Sequence, residues 1–263
     1  MKNSEKQTTA QPKSVALFVS DIHLSPSLPK TTRAFLSFLA EQGTRTKQLY
    51  ILGDMFEYWV GDDDIYDKYN AKIVQTLRSL TAAGIQLFWI AGNRDFLIGE
   101  DFAIATGMQL LKDPSIITVA GKKIAICHGD EQCTDDTAYM QFRAQVRNIE
   151  WQRNFLTLPL AQRKTIVSGM RESSKMQQSQ NELSIMDVNP TAIEQLFASS
   201  ACHYLIHGHT HRPALHEHDG QYRYVLPDWD CDEENPRGGW ISIDEHGEIN
   251  RISFTNGGTT SSR

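Results

Sequence analysis

The chain has 263 residues, of which 40% are hydrophobic, and carries a formal net charge of −6 at pH 7. This length suits one large α/β domain. The negative charge argues against a nucleic-acid-binding protein that works through bulk electrostatics, and no apolar stretch approaches the roughly 18 residues of a membrane span.

Strands and helices are predicted to alternate over the first half of the chain. Residues 1–13 lack the apolar segment of a signal peptide and are predicted to be a disordered tail before a domain at 14–263. Apolar runs and helical periodicity then predict the following elements. They are a strand at 15–20, a helix at 31–42, a strand at 48–53, a helix at 66–83, a strand at 86–92 and a hairpin at 118–127 around Gly121.

The end of the chain is predicted to be rich in strands. The elements there are a helix at 191–199 and strands at 203–208, 221–227, 239–243 and 248–254. Alternating strands and helices followed by a β-rich end predict an α/β fold with a layered α/β/β/α core. The four cysteines, Cys127, Cys133, Cys202 and Cys231, lack zinc-ribbon spacing. Cys127 and Cys202 lie in apolar runs and are predicted to be buried thiols, as expected for a reducing cytoplasm.

Residues 135–189 interrupt this alternation as a helix-prone insertion that is both apolar and basic. Its apolar residues are Tyr139, Phe142, Val146, Ile149, Trp151, Phe155, Leu156, Leu158, Leu160, Ile166, Val167 and Met170. Its cations are Arg143, Arg147, Arg153, Arg163, Lys164, Arg171 and Lys175. One interpretation is a solvated insertion whose apolar residues pack on the core. The other is a lid that takes up acyl chains while its cations face phosphate and anionic headgroups.

Metal-capable side chains directly follow five of the predicted strands, in the segments SDIHL, GDMFEYW, GNRDF, CHGD and GHTHRP. The candidate ligands are Asp21, His23, Asp54, Asn93, His128, His209 and His211. Because open α/β sheets bind ligands beyond the carboxyl ends of their strands, we expect these loops to converge. The number of oxygen and nitrogen donors exceeds the need of one ion and indicates two.

The donor types indicate Mn²⁺, Zn²⁺ or Fe²⁺, because carboxylate, amide and imidazole groups without thiolates suit these ions. Asp54 is predicted to bridge the two ions, which lie about 3.5–4 Å apart in two-metal hydrolases. Such a pair lowers the pKa of a bound water and neutralises charge on a phosphoryl oxygen. His209 and His211 alternate along an extended segment, so Gly208 is predicted to permit the turn that brings both to the cluster.

Taken together and in this order, the five segments resemble the calcineurin-like metallophosphoesterases. The fuller strings FEYWVGDDD, GNRDF, IMDVN and HGHTHRPALH resemble the branch of that family that cleaves a lipid-linked UDP-sugar in lipid A biosynthesis. The resemblance extends from about Ser14 to the C-terminus. It implies a metallophosphoesterase sandwich, and it favours the lid interpretation of residues 135–189.

The resemblance also implies a reaction. Its substrate is UDP-2,3-diacylglucosamine, and its products are UMP and 2,3-diacylglucosamine 1-phosphate. Two Mn²⁺ ions per chain are implied, with Zn²⁺ or Fe²⁺ as alternatives. The expected location is the cytoplasmic face of the bacterial inner membrane, as a peripheral protein without a nucleic-acid partner, and a monomer is expected.

Arg94 follows the candidate ligand Asn93, at a position where many family members have His. Its guanidinium is predicted to grip a phosphoryl oxygen and to stabilise charge in the transition state. Asp54 and His209 complete the predicted catalytic set. Asn93, Arg94 and His209 are also predicted to contact the substrate.

Further substrate contacts are implied by the resemblance alone, at Asp136, Tyr139, Arg171, Ser174, Gln178 and Asn181. The family pattern has Asn and Lys at the positions of Gln178 and Asn181, so the chain departs from it there. His207 is predicted to support the ligand loop. Residues 62–64, three consecutive aspartates, are interpreted as a solvated loop, and Trp59 is a candidate for the pocket wall.

Two other functions remain open at the level of sequence. The first is a metallophosphoesterase that acts on soluble nucleotide pyrophosphates, which activity on water-soluble nucleotides would favour. The second is a non-catalytic scaffold of the same fold that binds partners through the insertion. The intact ligand set argues against the scaffold, and the apolar, basic insertion argues against a soluble substrate.

Overall fold

The computed structural model describes residues 13–178 and 187–262, without the side chains of residues 171–178. The predicted tail, apart from Lys13, therefore lies outside the described residues. The strands described are β1 (Ser14–Val19), β2 (Gln48–Leu52), β3 (Gln86–Ile90), β4 (Gln109–Leu111), β5 (Ser115–Val119), β6 (Lys122–Ile126), β7 (Tyr204–His207), β8 (Leu215–His218), β9 (Gln221–Val225), β10 (Gly238–Asp244), β11 (Ile249–Thr255) and β12 (Gly258–Ser262). The α-helices described are α1 (Pro29–Glu41), α2 (Lys68–Ala82), α3 (Glu100–Thr106), α4 (Thr137–Val146), α5 (Ile149–Leu156), α6 (Leu160–Gln178) and α7 (Pro190–Ser200).

Most predicted elements are confirmed within a few residues. Helix α2 begins later than predicted because the Asp67 side chain accepts the Tyr69 backbone N–H and caps the helix, while Asp62–Tyr66 forms a separate 3₁₀ helix. Elements α3, β4, β8 and β12 were not predicted. These elements are short, and every residue of β12 is exposed, so they lack the apolar periodicity that identifies a buried element.

The strands form two sheets. The first has the order β12-β11-β10-β1-β2-β3-β4, and the second has the order β5-β6-β7-β9-β8. Strands β1, β2, β3 and β4 are parallel to one another, as are β6, β7 and β9. The carboxyl ends of β1, β2 and β3 therefore lie at one edge of the first sheet, and those of β6 and β7 at one edge of the second.

The two sheets pack face to face, and helices cover their outer faces. In β1, Ala16 and Phe18 point into the apolar layer shared with the second sheet. Leu17 and Val19 point to the other side, where they pack with residues of α1, α2 and α3. Helix α7 packs on Ala125 and Leu205 of the second sheet. Because both faces of the central parallel strands are buried, β1, β2 and β3 consist mostly of apolar residues. The predicted α/β/β/α layering is confirmed.

Helices α4, α5 and α6 occupy the segment between β6 and β7, where the insertion was predicted. Its apolar residues contribute to the core, to a cavity, or to both. Leu158 and Ile166 pack against the core, as the first interpretation requires. Others line a cavity described below. No helix in the described part of the chain is long and apolar enough to cross a membrane.

Candidate metal centre and active site

The seven predicted ligands converge from five loops, each of which follows the carboxyl end of a strand. Asp21 and His23 follow β1, Asp54 follows β2, and Asn93 follows β3. The other three come from the second sheet. His128 follows β6, and His209 and His211 follow β7.

Five of these residues have a left-handed backbone, which is uncommon outside glycine. The φ angles are 53° for Asp21, 53° for His23, 51° for Asp54, 68° for His209 and 54° for His211. Neighbouring loops hold this conformation. The Ile22 and His23 backbone N–H groups both donate to the Asp54 carbonyl, at 2.9 and 3.0 Å. Such strain concentrates at functional sites, where the surrounding structure maintains it.

Gly208 serves the site in a way that differs from the prediction. Its own backbone is not left-handed, and His209 and His211 make the turn instead. Glycine is required because a Cβ atom would lie 2.2 Å from Ser20 Oγ and 2.3 Å from Asp21 Oδ2. The close approach allows the His209 backbone N–H to donate to Asp21 Oδ2 at 2.9 Å, which ties the two sheets together at the cluster.

The side chains form a compact cluster with two groups of metal-capable atoms. Asp21, His23 and His211 form one group, and Asp21, Asp54 and His128 form the other, with ligand atoms within 4.8 Å of one another in each. Asn93 lies beside the second group, and its Oδ1 is 2.9 Å from both His128 Nε2 and His209 Nδ1.

Burial and neighbouring charges shift the pKa values of the cluster residues in different directions. Burial raises the pKa of Asp54 to about 7. Burial disfavours a charged His128, but Asp54, Asp21 and Asp130 outweigh that effect and raise its pKa to about 9. Burial lowers the pKa of His209 to about 3, which leaves the neutral imidazole that metal binding requires. Asp21 Oδ1 is buried without a hydrogen-bond partner among the described residues and lies 3.5 Å from His211 Nε2, so it fits the role of a metal ligand.

Arg94 lies beside the cluster with its guanidinium partly exposed. Its Nη1 donates to Glu57 Oε1 at 2.9 Å, and its Nε lies 3.6 Å from Asp54 Oδ2. Its backbone N–H also donates to Asp54 Oδ1 at 2.9 Å. The side chain is 27% exposed and lines the cavity, so a bound anion could reach it.

A cavity of about 490 Å³ connects the cluster with the helical insertion. The polar part of its lining includes Asp54, Asn93, Arg94, His209 and His211. The apolar wall includes Trp59, Tyr139, Phe142, Val146, Trp151, Phe155, Val167 and Met170. The cavity is therefore amphipathic, because metal-capable groups and aromatic and aliphatic side chains all line it. The prediction that Trp59 lines the pocket is confirmed.

Comparisons with known proteins decide the family. Residues 15–213 match the model of the calcineurin-like phosphoesterases. The chain belongs to the calcineurin-like phosphoesterase family. Members of this family bind divalent metals, and the cluster supplies suitable ligands.

Several curated relatives share the name UDP-2,3-diacylglucosamine hydrolase. The relative from Serratia proteamaculans is 46% identical over 217 residues, or 81% of this chain and 90% of that protein. The relative from Chromobacterium violaceum is 45% identical over 88% of this chain and 95% of that protein. Among solved structures, Vacuolar Protein Sorting 29 from Cryptosporidium parvum matches with a TM-score of 0.50 and 12% identity, over 95% of this chain and 96% of that one. That likeness shows the phosphoesterase fold alone.

Of the substrate contacts implied by the family resemblance, Asp136 and Tyr139 are described with their side chains. Asp136 caps α4 by accepting the Tyr139 backbone N–H at 2.9 Å, and both residues line the cavity. The Tyr139 hydroxyl donates to Asp130 at 2.6 Å, while its ring stacks on His209 with a centroid distance of 6.0 Å. Arg171, Ser174 and Gln178 lie on α6, but their side chains lie outside the described part of the structure, as does Asn181 altogether.

Four of the basic residues in the insertion have a different role from the one predicted for them. Arg143 Nε donates to buried Asp130 at 2.9 Å, and Arg147 donates to the Gly92 carbonyl at 3.0 Å. Arg163 pairs with Asp63, and Lys164 lies 2.6 Å from Asp64. These cations join the helices to the phosphoesterase core instead of facing anionic headgroups.

The interpretation of residues 62–64 as a solvated loop was wrong, because these aspartates bind other parts of the protein. Asp63 and Asp64 bind the helices of the insertion, as just described. Asp62 accepts the Trp59 indole N–H at 3.0 Å and the Phe102 backbone N–H at 2.9 Å. Residues 62–64 therefore help to attach the insertion to the core, in addition to the contacts of Arg143 and Arg147 with Asp130 and Gly92. A run of like charges did not by itself indicate which cations would pair with it.

Two buried carboxylates beside the candidate ligands, Asp95 and Asp130, were not predicted. Asp95 is fully buried and accepts the backbone N–H groups of Met55 at 2.8 Å and Gly92 at 3.0 Å. Asp130 is fully buried and accepts hydrogen bonds from Tyr139 and Arg143 of α4. Asp95 lies two residues after Asn93, and Asp130 lies two residues after His128. This closeness to a predicted ligand was the only signal in the sequence that pointed to them. His207 supports its loop as predicted, with Nδ1 2.9 Å from the Gly208 carbonyl oxygen.

Proposed function

We propose that this protein hydrolyses the pyrophosphate bond of UDP-2,3-diacylglucosamine to give UMP and 2,3-diacylglucosamine 1-phosphate, with two Mn²⁺ ions. The observation that carries the proposal is the amphipathic cavity, which is lined by metal-capable groups and Arg94 as well as by aromatic and aliphatic side chains. A substrate with a charged pyrophosphate and acyl chains matches both kinds of lining. The name shared by relatives 43–46% identical to this chain supports the same substrate.

The proposal assigns four ligands to each ion. Asp21, His23, Asp54 and His211 would hold one ion. Asp54, Asn93, His128 and His209 would hold the other, with Asp54 shared. When bound, the ions would supply an activated water molecule and neutralise charge on the phosphoryl oxygens.

The protein's own residues orient the substrate and stabilise developing charge. Arg94 presents a planar guanidinium to a phosphoryl oxygen, a geometry suited to bidentate hydrogen bonds. His209 is held between Asn93 and the Tyr139 ring, so its position is fixed before the substrate binds. Fixed donors stabilise transition-state charge without reorganising during the reaction.

Membrane association is proposed from the exposed apolar side chains of the insertion. Ile149 is 60% exposed, Leu156 42% and Phe142 39%. Apolar side chains beside the cavity would enter the headgroup region of the inner face of the bacterial inner membrane, from which a lipid substrate reaches the site. The protein would bind there peripherally and as a monomer.

Product analysis with purified protein tests the proposed function. UDP-2,3-diacylglucosamine and Mn²⁺ should give UMP and the lipid monophosphate in equal amounts, while water-soluble UDP-sugars and dinucleotides should react far more slowly. Faster turnover of the soluble compounds would favour the alternative of a soluble nucleotide pyrophosphatase. No turnover of either class by metal-loaded protein would favour the scaffold.

Charge placed on the apolar wall is expected to impair the lipid substrate selectively. Phe142 lines the cavity and is 39% exposed, so Phe142→Glu should fold. Phe155 also lines the cavity, but it belongs to the buried core and is less suitable for the test. Burial of one aromatic side chain contributes roughly 1.5–3 kcal/mol, so kcat/KM for the lipid substrate should fall about ten- to a hundredfold.

The matched control is Ile149→Glu, which adds the same charge to the same insertion at a side chain that does not line the cavity. In detergent solution, this variant should leave kcat/KM unchanged for both substrates. Kinetics are measured with UDP-2,3-diacylglucosamine and with a UDP-sugar that lacks acyl chains. Equal losses on both substrates for Phe142→Glu would show that Phe142 is only part of the packing.

Isotope labelling is expected to identify the phosphorus that water attacks. If Arg94 and the metal cluster surround the uridine-side phosphorus, the lipid-bearing sugar phosphate leaves from the opposite side, toward the insertion. In-line displacement places the nucleophile and the leaving oxygen on opposite sides of the phosphorus. Turnover in ¹⁸O-labelled water should therefore place the label in UMP, as mass spectrometry can show. Label found only in the lipid phosphate would show that water attacks the other phosphorus and that the substrate binds in the opposite orientation.

A further inference from the structure

Two of the cluster histidines have a buried carboxylate behind them. His23 and His211 face each other through their Nε2 atoms, which are 3.2 Å apart. On the outer side of each ring, His23 Nδ1 lies 3.4 Å from Glu57 Oε2, and His211 Nδ1 lies 3.5 Å from Asp228 Oδ2. Metal-binding histidines usually direct the second ring nitrogen to such an acceptor, which fixes the tautomer and the ring orientation.

Asp228 is well placed for this role because its own position is fixed. It is 4% exposed and lies in the connection between β9 and β10. Its Oδ2 accepts hydrogen bonds from Arg237 Nε at 2.9 Å and Nη2 at 2.7 Å. The backbone N–H of the next residue, Trp229, donates to the Asp21 carbonyl at 2.9 Å. Arg237 therefore holds the carboxylate directly, and the backbone beside Asp228 is bonded to the loop that carries Asp21.

Asp228 can be tested more cleanly than Glu57. Glu57 also binds Arg94 and lines the cavity, so a change there would disturb the substrate site. Asp228 and Arg237 are absent from the cavity wall. We infer that Asp228, held by Arg237, is a positioning residue that orients His211 and keeps its Nε2 directed at one metal ion. This inference rests on the metal-binding part of the proposed function and not on the identity of the substrate.

The test is calorimetric titration of Mn²⁺ into metal-free protein, with no substrate present. Loss of an outer partner typically weakens metal affinity about ten- to a hundredfold. Asp228→Ala should weaken one of the two Mn²⁺ sites by that factor, because His211 belongs to only one of them. The other site should weaken by a smaller factor, because His211 is not among its proposed ligands.

The control is Asp244→Ala, which also removes a largely buried carboxylate. Asp244 accepts the backbone N–H groups of His246 at 2.9 Å and Glu248 at 3.0 Å, at a hairpin between β10 and β11. This variant should lower thermal stability without weakening either Mn²⁺ site. Arg237→Gln should weaken the same site as Asp228→Ala by a smaller factor, and the two changes should not add in the double variant.

Equal weakening of both Mn²⁺ sites by Asp228→Ala would overturn the inference, and so would a change no larger than that of Asp244→Ala. If Asp228→Ala fails to fold, Arg237→Gln decides the question, and unchanged affinity at both sites would overturn the inference. Failure of the wild-type protein to bind Mn²⁺ would instead contradict the proposed metal centre. Normal Mn²⁺ binding without turnover of the lipid substrate would contradict only the proposed substrate.

Discussion

Replacement of Asp54 with alanine is expected to remove metal binding and nearly all turnover while the fold survives. The side chain is 2% exposed and is proposed to contact both ions, so its loss weakens both sites at once. Charge stabilisation by a metal pair contributes several kcal/mol, and the rate should fall by about 10³-fold or more. Asp54 lies in a loop held by Asp95 and by the backbone of Ile22 and His23, which the substitution leaves in place.

Metal content, turnover and thermal unfolding should be measured on the same Asp54→Ala sample. Ligands that bind only the folded state stabilise it, by about 2.7 kcal/mol at a concentration a hundredfold above Kd. Wild-type protein and the Asp244→Ala control should both gain stability on addition of Mn²⁺, whereas Asp54→Ala should not. A variant that keeps two ions and more than about a tenth of the wild-type rate would rule out Asp54 as the shared ligand.

Replacement of Arg94 with alanine is expected to lower kcat by about 10²–10³-fold with metal content unchanged, as loss of one transition-state donor typically does. The guanidinium now binds Glu57 and lies 3.6 Å from Asp54 without being a metal ligand itself. A side chain that acts mainly on charge formed during the reaction affects kcat more than KM.

Arg94→Lys provides the matched comparison for this prediction. Lysine keeps the positive charge but lacks the planar fork of donors. If bidentate contact matters, Arg94→Lys should recover only part of the lost kcat. Steady-state kinetics and metal analysis of both variants decide the point. A change confined to KM would assign Arg94 to binding of the ground state, and a loss of bound metal would assign it to support of Asp54.

The parallel strands and the convergence of the candidate ligands could be predicted because their signals are local. A strand buried on both faces is a continuous apolar run, as in residues 48–53, and it is recognisable without knowing its neighbours. A polar ligand that directly follows such a run must lie at the carboxyl end of the strand. His128 and Asp54 could therefore be placed at the same site although they are distant in sequence. Elements without such a signal, such as the exposed β12, were missed.

Only the tertiary structure decided which charges pair with one another. Arg143 and Arg163 looked like cations for an anionic ligand, yet they bind Asp130 and Asp63 within the protein. The contact between Asp228 and His211 could not be predicted either, because β8 and β9 separate the two residues along the chain. Ion pairs and outer hydrogen bonds depend on distances of a few ångströms between distant segments. Local hydrophobic pattern determines the strands and the loops that follow them, but it does not determine those distances, which arise when the sheets and helices pack.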